Sequence, residues 1–318
     1  MKEMTNRFTA ALKELCQRSH DECSLCRYRF NEGDTTHSGY GLNHEELYVC
    51  DNCSDYLSEV AIRRYYSPRP YVLPEDSVSL WRYMDFTKYM SLISSQSMYF
   101  TRSDCFSDIF EGAKGYLNNK EGWDRHYHEF FIKAISNPPK GFDLNLSEKE
   151  ILERADSLLN DLECAGIKQR QSTFISCWHE NEYESEAMWR LYSSYLPNAL
   201  AIKTTTGDLL DSLGRDSSIN IGRVKYIDYK NEFAGINESF WRKRKSFEHE
   251  REVRAIINDY KCVGYGKSVP CDLKCLINNV YLSPSAADWF VDLVHSVNEK
   301  YGISANVSKS EMIGTPFY

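Results

Sequence analysis

The sequence predicts an α+β protein with two domains, a small cysteine-rich domain over residues 1–69 and a larger domain over residues 70–318. Three observations lead to this division. Four cysteines form two C-x-x-C pairs near the N-terminus, and a proline-rich segment follows them at residues 67–76. The rest of the chain alternates between short apolar segments typical of strands and longer segments with helical periodicity. A chain of 318 residues is long enough for a main domain and a small accessory one.

The composition is that of a globular protein with many large rings in its core. Hydrophobic residues make up 42% of the chain and charged residues 26%, whereas aromatic residues reach 14%. No apolar run approaches the roughly 18–20 residues that a membrane-spanning helix needs, and the N-terminus lacks the apolar stretch of a signal peptide. The sequence therefore predicts a cytoplasmic protein without a membrane partner. The net charge of −8 argues against a broad basic surface for nucleic acid.

The cysteine pairs are the strongest chemical signal in the chain. Cys23 and Cys26 form the first pair, and Cys50 and Cys53 form the second after 23 intervening residues. Each C-x-x-C pair can turn two thiolates towards one tetrahedral ion, which is typical of a structural zinc site. The total of eleven cysteines is odd, and it fits reduced thiols plus a metal better than a disulfide framework.

The segments around these cysteines predict a treble-clef-like zinc finger. Residues 1–19 have the pattern of a short amphipathic helix, a strand-like segment precedes Cys50, and residues 54–66 have the apolar spacing of a second helix. Residues 1–69 contain nine Lys and Arg against eleven Asp and Glu. This balance favours a structural or protein-recognition role for the finger over nucleic-acid binding. The three prolines within residues 67–76 predict the domain boundary.

The larger domain is predicted to contain a mixed sheet with a helical insert at about residues 113–170. A helix begins after Asp85, a favourable N-cap, and Ser147 and Glu150 form a possible capping box within the insert. The remaining helices are expected at residues 180–192 and, capped by Ser283, at residues 283–294. The predicted strands cover residues 78–83, 97–101, 174–178, 199–204, 224–229, 252–257, 277–282 and 303–307.

One predicted strand, within residues 247–257, is unusually charged. Alternation places Glu250, Glu252 and Arg254 on one face of an extended chain. Charges on one face of a strand must either stay in water or pair within a site, and a structural ion pair between Glu252 and Arg254 fits this pattern too. A basic run at residues 242–245 precedes the strand and is a candidate contact for nucleic acid.

Four segments of the larger domain are informative when they are taken together. They are LWRYMDFTKYM at 80–90, MYFTRSDCFSDIFEG at 98–112, FISCW and EAMWRLY within 174–192, and KSFEHEREVRAII at 245–257. As a set they resemble a family of bacterial proteins catalogued as domain of unknown function 2971, over about residues 78–290. Ser107 stands where that family usually has Asn. The zinc finger lies outside this resemblance.

The order of Arg82, Ser176 and the Glu250-x-Glu252 pair is similar to the Arg, Ser and Glu-x-Glu layout of ADP-ribosyltransferase folds. That resemblance implies a split β-sheet and NAD as substrate. It also implies that Arg82 binds a phosphate, that Ser176 supports the ribose or its strand, and that Glu252 and Glu250 stabilise the developing cation and orient the acceptor. The implied NAD-contacting residues are Arg82, Tyr83, Tyr99, Ser103 and Phe106.

The sequence leaves other functions open. A non-enzymatic, zinc-dependent binding or sensor module and a nucleic-acid-processing enzyme both fit the same segments. Arg82 also fits a bridging ion pair with Glu252 or Asp108, and Ser176 fits a buried strand residue. Families of this sort resemble components of bacterial defence or toxin-type loci, which implies an effector whose acceptor is a protein or a nucleic acid.

Overall fold

The computed structural model describes residues 21–42, 46–58, 62–65, 69–137, 145–193, 196–216 and 218–318. The chain divides into two compact units, Met1–Val72 with Gly214–Asn220, and Leu73–Leu213 with Ile221–Tyr318. The division between Val72 and Leu73 falls inside the proline-rich segment. The helix predicted for residues 1–19 lies outside the described residues. Within them, no helix combines the length and the apolar character needed to cross a membrane.

The smaller unit is built on a three-stranded antiparallel sheet. Its strands are β1 (Thr35–Tyr40), β2 (Glu46–Cys50) and β3 (Ile62–Tyr65), in the order β2-β1-β3. A small core of Cys23, Phe30, Leu47, Val49 and Cys50 packs beside this sheet. Two of the four paired cysteines therefore belong to the apolar core of the unit.

The helix predicted for residues 54–66 is wrong. Asp51–Tyr56 forms a 3₁₀ turn, and Ile62–Tyr65 is the strand β3, which pairs with β1 from Thr35–Tyr65 to Ser38–Ile62. Pairing with β1 outweighs the helical spacing of these residues, because strand preference depends on the neighbouring strand more than on the local sequence. The residues described between 54 and 65 therefore do not form the helix that a treble clef has after its second cysteine pair.

A large mixed sheet forms the centre of the larger unit. Seven strands follow one another in the order β12-β5-β6-β4-β7-β13-β14, and β11 pairs with β6 and with β8. The strands are β4 (Ser79–Asp85), β5 (Ser97–Arg102), β6 (Thr173–Glu180), β7 (Ala199–Thr205), β8 (Ile219–Arg223), β11 (Glu252–Asn258), β12 (Gly266–Pro270), β13 (Asn279–Leu282) and β14 (Asn306–Lys309). A separate parallel pair joins β9 (Lys225–Ile227) to β10 (Arg242–Arg244).

The sheet divides at β6. One edge of β6 pairs with β11 along its whole length. The other edge pairs with β5 at Phe174 and Ile175, and with β4 at His179 and Glu180. Between these two contacts, residues 176–178 have no strand neighbour on that edge. A gap therefore opens in the sheet where β4 and β5 leave β6 at opposite ends.

The helices of the described ranges are α1 (Phe86–Ser95), α2 (Lys120–Ser136), α3 (Glu148–Ser172), α4 (Glu186–Ser193), α5 (Thr206–Ser212), α6 (Leu273–Leu276) and α7 (Asp288–Lys300). Helix α1 connects β4 to β5 and begins as predicted, with the Asp85 carboxylate accepting a hydrogen bond from the Lys88 N–H at 2.9 Å. The predicted capping box of Ser147 and Glu150 is also present at the start of α3.

Two boundaries differ from the predicted ones. The last long helix begins at Asp288 after Ala287, whereas Ser283 lies just beyond β13 with its hydroxyl against that of Ser285. The strand predicted at residues 224–229 is shorter, since β9 begins only after Val224, whose backbone N–H donates to the Glu252 carbonyl, and ends at Ile227. Both differences arise from side-chain and backbone hydrogen bonds at strand ends, which periodicity does not encode.

Candidate functional site

A cavity of about 630 Å³ opens at the gap beside β6. Strand β4 supplies Arg82, strand β5 supplies Tyr99, and β6 supplies Cys177 and Trp178 to its wall. The volume falls within the range of about 300–1,000 Å³ that is usual for small-molecule sites. The further lining residues that matter for its chemistry are Tyr83, Phe106, Asp108, Glu111, His179, Tyr192, Lys243, Phe247, Glu250, Glu252 and Ser268.

Arg82 is the cation of this cavity that lacks an acidic partner among the described residues. Its Nη2 donates to the Tyr99 carbonyl at 3.3 Å, and its guanidinium lies 5.6 Å from the centre of the Trp178 ring. Neither of the ion pairs considered from the sequence is formed, since Asp108 pairs with Arg244 instead. Burial lowers the pKa of Arg82. An anionic ligand would compensate this half-buried charge.

Three of the rings predicted to contact NAD line the cavity. Tyr83 packs between Trp81 and Trp189, with ring centres 6.2 and 4.9 Å away, and its hydroxyl accepts a hydrogen bond from the Ser185 N–H. Tyr99 is 49% exposed, so a ligand can reach it, and Phe106 is partly exposed. The rings therefore offer one fixed wall and two accessible surfaces.

The two predicted serines do not line the cavity. Ser176 pairs across the sheet with Ala255, so its side chain points to the face opposite Glu252 and Arg254, where its hydroxyl donates to the Met98 sulfur at 3.4 Å. Ser103 is fully buried and donates to the Arg170 carbonyl at 2.7 Å. Arg82 and Glu252 therefore both line the cavity, although the strand register places them on opposite faces of the sheet, whereas Ser176 does not line it.

Glu250 and Glu252 both line the cavity, although a turn separates them. Residues Lys245–Glu250 form a 3₁₀ turn, Arg251 adopts a left-handed conformation with φ 39°, and β11 starts at Glu252. A non-glycine residue in this region is strained, and such strain is maintained only when surrounding contacts fix it. The His179 ring, 2.6 Å from the Glu250 carbonyl through Nδ1, supplies one of these contacts.

Arg254 organises the carboxylates on this face of the sheet. It is fully buried, and its guanidinium donates to Glu252 at 2.9 and 3.1 Å and to Glu111 at 2.6 and 2.8 Å. Nη1 also donates to the Phe240 carbonyl at 2.6 Å. All five N–H donors of the guanidinium are therefore used. The predicted ion pair of Glu252 and Arg254 is formed, but it lies in the interior of the sheet.

Glu252 stays ionised in this surrounding. Burial raises the pKa of its carboxyl, but the charges of Arg254 and Lys243 outweigh burial and hold the pKa at about 2. Lys243 lies 3.2 Å from Glu252 and also contacts Glu250, whose second oxygen accepts a hydrogen bond from the Tyr192 hydroxyl at 3.0 Å. Glu250 is 6% exposed. Of the two possibilities for this charged face, contact with water or pairing within a site, Glu250 therefore takes the second.

Sequence reasoning did not identify Glu111, Lys243 and Tyr192 as parts of the site. Glu111 belongs to the SDIFEG segment, where the Asp108 carboxylate binds both the Phe110 N–H and Arg244. The sequence of a polar turn does not indicate which strand its carboxylate will contact. The arginine that Glu111 binds is 143 residues away in the chain. The two carboxylates of this turn were the feature of the sequence that could have indicated a site there.

The basic run at residues 242–245 is not an exposed patch. Arg242 binds Glu238, Lys243 binds the two glutamates of the cavity, and Arg244 binds Asp108 at 2.7 Å while packing over the ring of Phe110. Lys245 is the exposed member. This pairing leaves the run little free charge for a phosphate backbone, so nucleic-acid binding by these residues lacks structural support.

The four paired cysteines of the smaller unit come together. The sulfur atoms of Cys23, Cys26, Cys50 and Cys53 all lie within 4.8 Å of one another, and those of Cys26 and Cys50 are 3.7 Å apart. Four sulfurs at the usual Zn–S distance of about 2.3 Å in a tetrahedron are separated by about 3.8 Å. The group can therefore hold a metal ion and is consistent with structural zinc.

Local structure supports this site. Arg27, directly after the first pair, has φ 61° and donates its N–H to the Cys23 carbonyl, which closes the turn around the two thiols. Burial raises the pKa of Cys23, but N–H groups of Cys26, Cys50 and Leu25 outweigh it and lower the pKa to about 6. His37 lies outside the group and contacts the Asp51 carboxylate at 2.8 Å.

No protein-family model matches this chain, and no curated protein matches it. The resemblance to domain of unknown function 2971 therefore rests on the four quoted segments alone. The structure establishes a mixed α/β architecture with a large mixed sheet and a group of four cysteines able to hold a metal ion.

We expect one zinc ion per chain, and we expect Cys50→Ser to lose it. Because the four thiols draw β2 and the first turn together, removing one ligand should unfold residues 21–58, since metal binding and folding are coupled in such sites. Elemental analysis and hydrogen exchange measure both effects. Cys164→Ser, at an exposed cysteine of α3, is the control and should keep the zinc. A Cys50→Ser protein with a full zinc content would contradict the assignment.

We expect Arg254→Met to lower the free energy of unfolding by about 3–5 kcal/mol, because it leaves Glu111 and Glu252 buried without their shared partner. Urea denaturation measures this change. Lys149→Met removes an exposed ion pair with Glu153 and should change stability by less than about 1 kcal/mol. Equal effects of the two substitutions would show that the buried network contributes little.

Acid stability should depend on Glu252. Its pKa in the folded protein is depressed, so its charge stabilises the fold above the ordinary value of 4.5, and that contribution is lost as the pH falls towards about 2. The difference in stability between wild type and Glu252→Gln should therefore be largest above pH 4.5 and shrink below it. Thermal unfolding from about pH 7 to about pH 2 tests this, with the exposed Glu153→Gln as reference. A difference that does not vary with pH would refute the assignment.

Proposed function

We propose that this chain is an ADP-ribosyltransferase-like enzyme that cleaves the nicotinamide–ribose bond of NAD and passes ADP-ribose to an acceptor. The observation that carries the proposal is the shared cavity at the gap in the sheet. There, Arg82 without an acidic partner and the ionised Glu252 line the same cavity from opposite faces of the sheet, together with Tyr83, Tyr99 and Phe106. A divided sheet with an arginine on one side and a buried glutamate on the other is what the resemblance to ADP-ribosyltransferase folds implies.

Each group has a chemical role in this proposal. Arg82 binds a phosphate of NAD, because its guanidinium retains unused donors. Tyr99 and Phe106 hold the nicotinamide ring, and bond cleavage releases nicotinamide and leaves an oxocarbenium-like ribose. The fixed negative charge of Glu252 stabilises that cation, and a preorganised charge of this kind is a major source of rate enhancement.

Glu250 is the carboxylate that orients the acceptor in this proposal. It lies two residues before Glu252, at the end of the 3₁₀ turn, and it binds Tyr192 and Lys243 rather than Arg254. An acceptor nucleophile that replaces the Tyr192 hydrogen bond would transfer its proton to the Glu250 carboxylate as its new bond to the oxocarbenium-like ribose forms. Ser176 has no part in the proposed reaction, because its buried hydroxyl contacts the Met98 sulfur and does not line the cavity. The effector role in defence stays a prediction.

Nicotinamide release from NAD, measured by chromatography in the presence of protein and nucleic-acid acceptors, tests this function. Wild type should release nicotinamide, and Glu252→Gln should reduce the rate by at least about a hundredfold, the usual scale for loss of one electrostatic group. Because Glu252→Gln also disturbs a buried network, Arg82→Ala is the second variant. Arg82 binds no described carboxylate, so its removal should leave the melting temperature nearly unchanged while NAD binding weakens.

Ser176→Ala is the matched control, since it removes a hydroxyl of β6, the strand between those of Arg82 and Glu252, that does not line the cavity. It should retain nicotinamide release. An NAD-induced rise in melting temperature without release would identify a binding module rather than an enzyme. Wild type that neither releases nicotinamide nor gains stability with NAD would refute the proposal.

A further inference from the structure

A second pocket lies in the larger unit, away from the gap in the sheet. It measures about 280 Å³ and is formed by the start of the helical insert, by α3 and by the loop after β9. We call it the insert pocket. Its lining residues are Lys114, Gly115, Tyr116, Leu117, Asn119, Lys120, Trp123, Glu163 and Phe233. None of them lines the cavity proposed for NAD.

Lys114 supplies an unpaired positive charge to the insert pocket. Its ammonium lies 4.5 Å from the centre of the Trp123 ring, and none of the described carboxylates forms an ion pair with it. Burial lowers the pKa of its amine. The neighbouring Lys120 is different, because it binds both Asp124 and Glu163. Lys114 is therefore the group in this pocket that an anion would satisfy.

Asn119 supplies an acceptor whose orientation is fixed. Its Nδ2 donates to the Tyr229 carbonyl at 2.7 Å and to the Lys230 carbonyl at 3.0 Å. Because both partners are acceptors, the amide must turn its nitrogen towards them, and both hydrogens of that nitrogen are used. Oδ1 has no described partner, and Asn119 belongs to the pocket lining. A ligand that carries an amino group can donate to it.

The remaining wall is aromatic and partly open. Phe233 is 36% exposed, and Tyr116 is half-buried against Phe110, with ring centres 4.9 Å apart. Flat rings such as these bind planar heterocycles by stacking. The volume, near the lower limit for small-molecule sites, fits one mononucleotide and is too small for a dinucleotide.

We propose that the insert pocket binds a nucleoside monophosphate whose base carries an amino group. The phosphate pairs with Lys114, the base lies against Phe233 and Tyr116, and its amino group donates to Asn119 Oδ1. Glu163 faces the same pocket and opposes the phosphate charge, although it is held by Lys120. In this proposal the pocket recognises both the charge of the phosphate and the amino group of the base.

Calorimetric titration of the full chain with adenosine 5′-monophosphate tests this site. Lys114→Met keeps most of the length of the side chain and removes its charge, and it should weaken binding by about tenfold. Glu163→Gln removes the opposing carboxylate and should strengthen binding. Purine riboside 5′-monophosphate, which lacks the amino group, should bind about fivefold more weakly than adenosine 5′-monophosphate, the size of one neutral hydrogen bond.

Lys133→Met, at an exposed lysine of α2 outside the pocket, is the matched control and should bind as wild type does. Arg82→Ala should also bind normally, because the insert pocket is separate from the cavity at the gap. Binding that survives Lys114→Met but is lost in Arg82→Ala would place the nucleotide in the other cavity and overturn the proposal. Absence of binding to wild type at millimolar nucleotide would overturn it as well.

Discussion

The larger unit depends on one fully buried guanidinium. Arg254 lies in the middle of β11, and its five donors are divided between Glu111, Glu252 and the Phe240 carbonyl. Those partners come from the turn after β5, from β11 itself and from the segment before β10. A buried arginine without such partners would cost several kcal/mol, so these three segments are held together by the same requirement.

This requirement also shapes the cavity. Glu252 and Arg254 lie on the same face of β11, because side chains two residues apart in a strand point to the same side. Their cross-strand partners, His179 and Cys177, therefore lie on this face of β6. Lys243 contacts Glu252 and neutralises part of its charge. The left-handed conformation of Arg251 lets Glu250, just before β11, line the same cavity. The carboxylates consequently meet at the gap where β4 leaves β6, opposite Arg82. The gap in the sheet provides the volume of the cavity, and the buried ion pairs determine which charges lie on its wall.

The sequence identified features that depend on local chemistry. The spacing of Cys23, Cys26, Cys50 and Cys53, the N-cap at Asp85 and the capping box at Ser147 are all present, because each needs only residues close in the chain or a shared ion. It failed where a distant strand decides the outcome. Residues 62–65 form a strand because β1 is beside them, and Arg244 is paired because Asp108, 136 residues away in the chain, reaches it.

Ser176 shows the limit of reasoning from residue order. Arg82, Ser176 and Glu252 lie on neighbouring strands, but their order in the chain does not determine which face of the sheet each side chain occupies. Cys177, one residue later, lines the cavity, whereas Ser176 packs against Met98. The same alternation explains why Glu252 and Arg254 act as a unit. If NAD is the ligand, the hydroxyl that would support its ribose must come from a residue other than Ser176, and Ser268, which lines the cavity from β12, has a hydroxyl on the correct face.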